Sequence, residues 1–455
     1  MRLFGLMGII SLLLAAGGCG SAVDETTLDS GPTFARDIAP IIHSNCTPCH
    51  RPGTAAPFNL ITYRDVSKRS KMIKYVTGKR YMPPWPANPS YRSFIGEKFL
   101  TDDQIKLIAQ WHDAGAPRGN PDLEPDTPSY PIAGFLGEPD LQLPVEPFLV
   151  QGNNRDKFMM VKVPYELPSD TFVRVAEFVP GGATLVHHMN GHLIKYAKGA
   201  KSNVFGGMRL VDTEAFTDPE AFEKLDLRND DGTFPYLKPL VCNYLPGVEA
   251  AVYPEGIGGF TLPEKGVFLI NDMHYAPSSV EAWDSSYINL FFSPIPPERP
   301  TLELQMGTLG VSEIEPPLVI PPDTVMTFIT EAQVNEDLSL VTLNPHMHLL
   351  GKEMIAFAIT PSRDTIPLIH IPKWDFHWQY YYTFEHLLHI PKGSIIHVEA
   401  TFDNTRQNPD NPYDPPRTVA ERDGSMRTTD EMLQFIITFL PYEPGDEHIS
   451  LRASL

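Results

Sequence analysis

Cys46-Thr47-Pro48-Cys49-His50 constrains this chain more than any other five residues in it. Two thiols in this spacing, followed at once by an imidazole, can bond covalently to the vinyl groups of a haem and supply an axial ligand to its iron. A Cys-x-x-Cys that binds zinc or exchanges disulfides usually needs further cysteines or a βαβ context. The chain has only Cys19 and Cys242 besides these two, and no such context surrounds them. The motif therefore predicts haem c, one-electron redox chemistry, and maturation outside the cytoplasm.

The beginning of the chain agrees with export. Met1-Arg2 precedes an apolar run over 3–16 and then Gly17-Gly18-Cys19. The run is short for a membrane-spanning helix and suits a signal-peptide core. Small residues before a cysteine resemble a bacterial lipoprotein signal. Residues 1–19 are read as that signal, Cys19 as the lipidated residue, and 20–31 as a polar tether. The plainer reading is a secretory signal with a chance cysteine. The expected location is periplasmic or anchored to the outer membrane, with membrane contact only through the lipid. With Cys19 lipidated and Cys46 and Cys49 on haem, Cys242 has no intramolecular partner. No structural disulfide is expected, and Cys242 reads as a small buried hydrophobe. A formal net charge of -20 disfavours nucleic acid as a partner.

Three regions differ in pattern. Residues 32–118 read as helical, with an amphipathic stretch over 34–42 and a helix capped by Thr101 that stops at Gly115-Ala116-Pro117. Residues 119–140, rich in Pro, Asp and Glu at their start, read as a linker. From 141 onward short alternating runs appear at 158–163, 171–178, 266–273, 324–330, 338–343 and 394–401, each bounded by Pro, Gly, Asn or Asp. The 46 prolines and 32 glycines of the 455-residue chain suit such strands better than long helices. A proline-rich stretch over 294–300 divides this part into 141–298 and 299–455.

Met82, in Tyr81-Met82-Pro83-Pro84-Trp85, is the first candidate for the sixth iron ligand, with Met72 and His112 as competitors. Residues 32–118 resemble a class I cytochrome c: the haem motif follows the first helix, a Met-Pro-Pro loop comes next, and the last helix ends Trp-x-x-x-Gly-Ala-Pro. The resemblance implies His50 and Met82 as the axial pair. Such a pair raises the potential and favours electron transfer over oxygen binding.

Beyond residue 140 the histidines gather in three places. His187-His188 and His192 lie in 185–192, His274 ends a strand-like run, and His346 and His348 form Pro345-His346-Met347-His348. Residues two apart on a strand point the same way, so His346 and His348 can share a metal. His187 and His188 are adjacent and converge only where the strand twists or bulges. Taken singly, each histidine is most simply a hydrogen-bonded core or surface group. Several of them in an exported redox chain, with methionines nearby, suit copper cycling between two oxidation states.

Here a second resemblance becomes specific. Residues 141–455 resemble the copper type II, ascorbate-dependent monooxygenases, the group of the peptidylglycine α-hydroxylating and dopamine β-monooxygenases. The matching pieces are Val186-His187-His188-Met189, Met273-His274-Tyr275, His346-Met347-His348-Leu349-Leu350-Gly351-Lys352 and Thr429-Asp430-Glu431-Met432, in family order. The resemblance implies one copper held by His187, His188 and His274, and a second, catalytic copper held by His346, His348 and Met432. It also implies two jelly-roll-like β-domains. The whole chain is then expected to be multidomain: a small all-α cytochrome c domain followed by two all-β jelly-roll-like sandwich domains.

Departures from the family are informative. Where the peptide-hydroxylating members hold a substrate carboxylate with an Arg and a Tyr, this chain has Asn344 and Ile436, which argues against a peptide ending in glycine. The aromatic stretch 374–382 reads equally as a buried strand or as the lining of a substrate pocket. His377, His386 and His389 read as surface or core groups, and His192 as a packing or supporting group. The Asx-rich loop 403–412 reads as an ordered loop that screens the second metal site.

The leading functional expectation is an oxidoreductase: a copper-dependent monooxygenase hydroxylating a C–H bond with dioxygen. Its electrons would come through the haem, from ascorbate, or from both, with an external donor to the haem. The substrate is a small molecule or peptide that the sequence does not identify. The alternative is a non-catalytic haem and copper electron-transfer or copper-sensing lipoprotein. A haem peroxidase fits less well, because a methionine ligand leaves no open position on the iron.

Overall fold

The computed structural model describes residues 31–54, 56–130, 134, 136–245, 250–422 and 428–452. The signal sequence and Cys19 lie outside the described residues.

The first segment forms short helices. A π-helical turn, Phe34–Ile38, runs into Ala39–Asn45, and Tyr63–Ser67, Ser70–Gly78 and Asp102–Asp113 follow. Asp102–Asp113 starts where the Thr101 side chain accepts the Gln104 backbone N–H while Gln104 reaches back to the Thr101 N–H. That reciprocal box satisfies two amide donors that a helix start otherwise leaves bare. Phe34, Ile38, Ile42, Ile108 and Trp111 meet in one small core.

This segment is not a self-contained all-α domain, and the expected fold class is corrected here. Strand accounts for 36% of the chain and helix for 13%. The longest helix of the segment has 12 residues. Residues 83–99 leave the helices altogether. Prolines 83, 84, 86 and 89 bar a helix there. The apolar side chains between them find burial elsewhere: Ala87 and Phe94 belong to the core of the C-terminal strands, with Trp85 packed against it. Trp85 and Phe94 pack against Tyr382, with ring centroids 5.3 and 5.2 Å away. Asn88 N–H donates to the His370 carbonyl and Ile95 N–H to that of Thr383.

The remaining chain is spread over several sheets rather than two jelly rolls of paired four-stranded sheets. Between residues 141 and 293, a four-stranded sheet runs Leu141–Pro144, Tyr287–Ser293, Thr171–Val179, Phe260–Leu262 in spatial order. A five-stranded sheet runs Leu210–Asp212, Lys157–Glu166, Lys265–Tyr275, Val186–Lys195, Tyr236–Tyr244. From residue 302 a four-stranded sheet runs Leu302–Gly307, Leu433–Pro441, Leu338–Met347, Tyr382–Ile390. A five-stranded one runs Ile314–Glu315, Val325–Gln333, Ile395–Asp403, Gly351–Ile359, Thr365–Ile371. Two-stranded ribbons complete the set. Every paired ladder between these strands is antiparallel.

Alternation places the apolar residues. In Val325–Gln333, Phe328, Thr330 and Ala332 are buried while their neighbours face water. The central strands Lys265–Tyr275 and Leu338–Met347 are covered on both faces and read as nearly continuous apolar runs. Cys242 is buried in the core of the first β unit, opposite Gly191, and its thiol is pushed above its ordinary range by burial and then by Glu177. Arg299, on the connection between the units, is ion-paired with Asp446, whose carboxylate also accepts the Ser339 hydroxyl. Among the described residues, no helix is long and apolar enough to cross a membrane.

Candidate functional site

The first histidine group forms where two central strands run side by side. His188 stands directly opposite His274 in the ladder between Val186–Lys195 and Lys265–Tyr275. The register slips between Val186 and His188, so His187 is the extra residue of a bulge. The bulge turns a side chain that strict alternation would send to the other face. As a result the ligand-capable nitrogens of His187, His188 and His274 all lie within 4.8 Å of one another. Nδ1 of His188 is 3.2 Å from Nδ1 of His187 and 3.4 Å from Nδ1 of His274.

The outer nitrogens decide what those inner ones are. His188 Nε2 faces the Asp272 carboxylate at 2.8 Å, and His274 Nε2 faces Asp156 at 2.7 Å. A carboxylate takes a proton from neither ring; it holds the N–H on Nε2 and leaves Nδ1 as a lone pair. Burial, then the neighbouring His188 and His274, push His187 down to about 3, so its ring is neutral near pH 7. The Nδ1 lone pairs that the carboxylates leave on His188 and His274 face one another at 3.4 Å and repel, and a cation between them removes the repulsion. The arrangement fits a metal ion of borderline softness held by three imidazoles. The His274 bond holds the Asp156 carboxyl below its ordinary range. Burial opposes the same effect at Asp272, where His188 prevails. Phe158, paired with His274 across the ladder, stacks on its ring at 4.3 Å and fixes its plane.

The second group uses the opposite nitrogens. His346 and His348 share a strand face, with ring centroids 5.0 Å apart and planes at 88°. His346 Nδ1 donates to Gln379 Oε1 at 2.5 Å, and His348 Nδ1 donates to the Asp430 carbonyl at 2.9 Å. Both Nε2 atoms are left as the available ligands. Burial, then the charge of His348, pushes His346 down to about 3, and burial lowers His348 as well. Met432 is 2% exposed. The ladder pairs His346 with Gln434 and ends with Met347 opposite Leu433, and His348 and Met432 are the next residue beyond it on each strand.

Glu431 ties this group down. Its carboxylate accepts the backbone N–H of His348 at 3.0 Å and of Leu350 at 2.7 Å. Burial pushes its carboxyl up to about 8, against those hydrogen bonds. Asn344 and Ile436 are direct partners in the same ladder, and the Asn344 amide donates to the Tyr380 carbonyl.

A third place is a cavity of about 800 Å³ walled by Cys46, Cys49 and His50 on one side. The helix Ala39–Asn45 ends at Cys46, and His50 N–H returns to the Cys46 carbonyl, so both thiols and the imidazole come off one tight turn. The thiols are free. Burial, then Cys49, pushes Cys46 up to about 12, so this thiol is protonated. His50 Nδ1 donates to the Phe58 carbonyl at 3.0 Å, which leaves Nε2 for a ligand. Met82 and Met72 both line the cavity. His112 does not: its Nδ1 lies 2.9 Å from the Ser70 hydroxyl. The lining is mainly apolar, and Phe178, Tyr244 and Trp378 close it from the β units. Size, thiols, imidazole and thioether fit a haem attached through both cysteines.

The residues that sequence reasoning missed are the supports. Asp272 precedes His274 by two positions, a spacing that on a strand signals a shared face. Asp156 and Gln379 carry no local signal. The stretch 374–382, read as strand or pocket lining, has its first eight residues in the loop that follows Thr365–Ile371; only Tyr382 is in a strand, the first residue of Tyr382–Ile390. Phe376 in that loop lies 6.3 Å from the His187 ring and 5.8 Å from the His348 ring. His377 is exposed and bonded to Asp375, His389 stacks on Tyr442, and burial pushes His192 down to about 4. The 403–412 loop is ordered about Asn404, whose amide donates to the carbonyls of Ile320, Pro321 and Arg417.

No protein-family model and no curated protein matches this chain. Among solved structures, one of the infectious bursal disease virus Gx strain aligns over 70% of this chain and 78% of that one, at 8% identity and a TM-score of 0.16. A likeness that slight carries no argument.

Proposed function

We propose that this protein is a copper-dependent monooxygenase whose electrons enter through a covalently attached haem. One observation carries the reading: two histidine groups with opposite ring nitrogens turned inward both lie beside Phe376. When bound, copper at these groups supplies electron storage and dioxygen activation, and haem at Cys46, Cys49 and His50 supplies one-electron transfer. Hydroxylation of a C–H bond puts one oxygen atom into the product and the other into water, and it consumes two electrons and two protons from outside the substrate. Two one-electron stores therefore suit it.

The chain's own residues do the rest. His187, His188 and His274 would hold the storage ion, with Asp272 and Asp156 fixing the orientation of the His188 and His274 rings. His346, His348 and Met432 form the catalytic group, and a thioether there favours the reduced ion. Gln379 and the Asp430 carbonyl orient the imidazoles, while burial favours their neutral form. Asn344 and Ile436 offer no cation, which supports a substrate without a carboxylate at that position. The export signal and Cys19 lipidation belong to the same proposal, as a periplasmic or outer-membrane-anchored setting.

The test is elemental analysis of the full chain with dioxygen uptake by the reduced protein. The reading expects two coppers and one haem iron per chain, and uptake that rises with some member of a panel of neutral C–H substrates, the product identified by mass spectrometry. Full metal loading without uptake on any substrate would instead favour a non-catalytic electron carrier.

A further inference from the structure

One loop touches all three candidate centres. It joins Thr365–Ile371 to Tyr382–Ile390 and so belongs to the C-terminal strands. Trp378 lines the cavity that Cys46, Cys49 and His50 wall from the other side. Two residues earlier, Phe376 stacks over His187 at 6.3 Å, with planes 16° apart, and meets His348 edge-on at 5.8 Å. Gln379 holds His346. The loop is tightly built: Trp378 N–H donates to the Asp375 carbonyl, the Gln379 amide to the Phe376 carbonyl, and Trp374 N–H to the Lys352 carbonyl. Trp374 is buried against Gly351, where a Cβ would lie 2.6 Å from the indole. The Tyr380 hydroxyl donates to the Pro84 carbonyl at 2.8 Å, which fastens the loop to the segment after Met82.

We infer that this loop is the electron path from the cavity to both histidine groups, with Trp378 as its entrance and Phe376 as its branch point. Electron tunnelling decays more slowly through bonded and closely packed atoms than across open space. Trp378 and Phe376 are joined by a short covalent run held in one turn, and Phe376 is the aromatic ring in contact with a histidine of each group. With haem and copper bound, each transfer would take one electron from an external one-electron donor by way of the cavity and would reduce one Cu(II) to Cu(I). No bond forms and no proton is required. The inference rests on the haem and copper reading given above and adds the residues that connect the centres.

The experiment uses the full-length protein carrying haem and copper, with the haem prereduced under anaerobic conditions and its reoxidation by Cu(II) followed by absorbance. Trp378→Leu and Phe376→Leu are each expected to slow that reoxidation severalfold. Trp378→Phe, which keeps a ring, is expected to recover most of the rate. Haem absorbance, haem potential, the copper spin-resonance signals and direct reduction of copper by a small diffusible reductant should stay as in the wild type. If both leucine variants keep their metals and their rates lie within twofold of wild type, the loop is not the path. If the wild-type protein itself lacks covalent haem or copper, the underlying reading falls and this inference with it.

Discussion

The two histidine groups make an instructive pair because each is built on antiparallel ladders yet exposes the opposite face of the imidazole ring. In the first, carboxylates behind Nε2 turn Nδ1 inward; in the second, an amide and a carbonyl behind Nδ1 turn Nε2 inward. A carboxylate behind a ligating imidazole makes it a stronger donor, which suits the more highly charged ion. A neutral oxygen does so less, and the added thioether of Met432 is a soft ligand that suits the reduced ion. On the proposed reading, the difference suits storage at the first group and oxygen chemistry at the second on the strength of what lies behind the rings, beyond the ligands themselves.

The comparison breaks most completely if a ligand is removed. His274→Ala should reduce the copper content from two ions to one per chain by elemental analysis and remove one of two spin-resonance signals. Loss of both ions, or of neither, would mean that the groups are not separate sites. Asp272→Asn keeps the ligand but weakens its support, and should cost about 10- to 100-fold in affinity at the first site alone, read by competition with a chelator. Gln379→Ala at the second site should cost about 10-fold, nearer the low end, because a neutral partner is lost. Glu431→Ala leaves the backbone N–H groups of His348 and Leu350 without their acceptor. Each buried unsatisfied donor costs about 1–3 kcal/mol, so the thermal midpoint should fall even in metal-free protein.

The smallest effect lies away from the metals. Burial works against Asp446, yet the Arg299 guanidinium and then the Ser339 hydroxyl hold its carboxyl down to about 2, from an ordinary 3.8. A depressed acid stabilises the folded state in full above its unfolded value and loses that contribution as the pH falls through the folded one. The denaturant midpoint of the wild type should therefore exceed that of Asp446→Asn above about pH 4, and the gap should close toward about pH 2.

The sequence showed the ligands more readily than their setting. The short apolar runs at 158–163 and 266–273 marked strands that form as Lys157–Glu166 and Lys265–Tyr275, because a strand buried on both faces reads as a short, nearly continuous apolar run. The Cys-x-x-Cys-His run and the His-x-His pair are local, so their geometry follows from spacing. Asp156 and Gln379 reach their rings across long stretches of chain, and nothing near either one records it. The overall architecture was misjudged for the same reason. Trp85, Ala87 and Phe94 sit among prolines without periodicity, and only the folded chain shows that they complete the core of the C-terminal strands. The bulge that brings His187 to His188 depends on register, which one strand alone does not specify.

X-ray absorption at the copper edge of the fully reduced, copper-loaded protein tests the central claim most directly. Two ions per chain, with histidine nitrogen around both and one sulfur shared over the two, is the predicted result, and the sulfur should vanish in Met432→Ala. A spectrum of nitrogen and oxygen alone, or a single copper per chain, would contradict the division of labour between the two histidine groups.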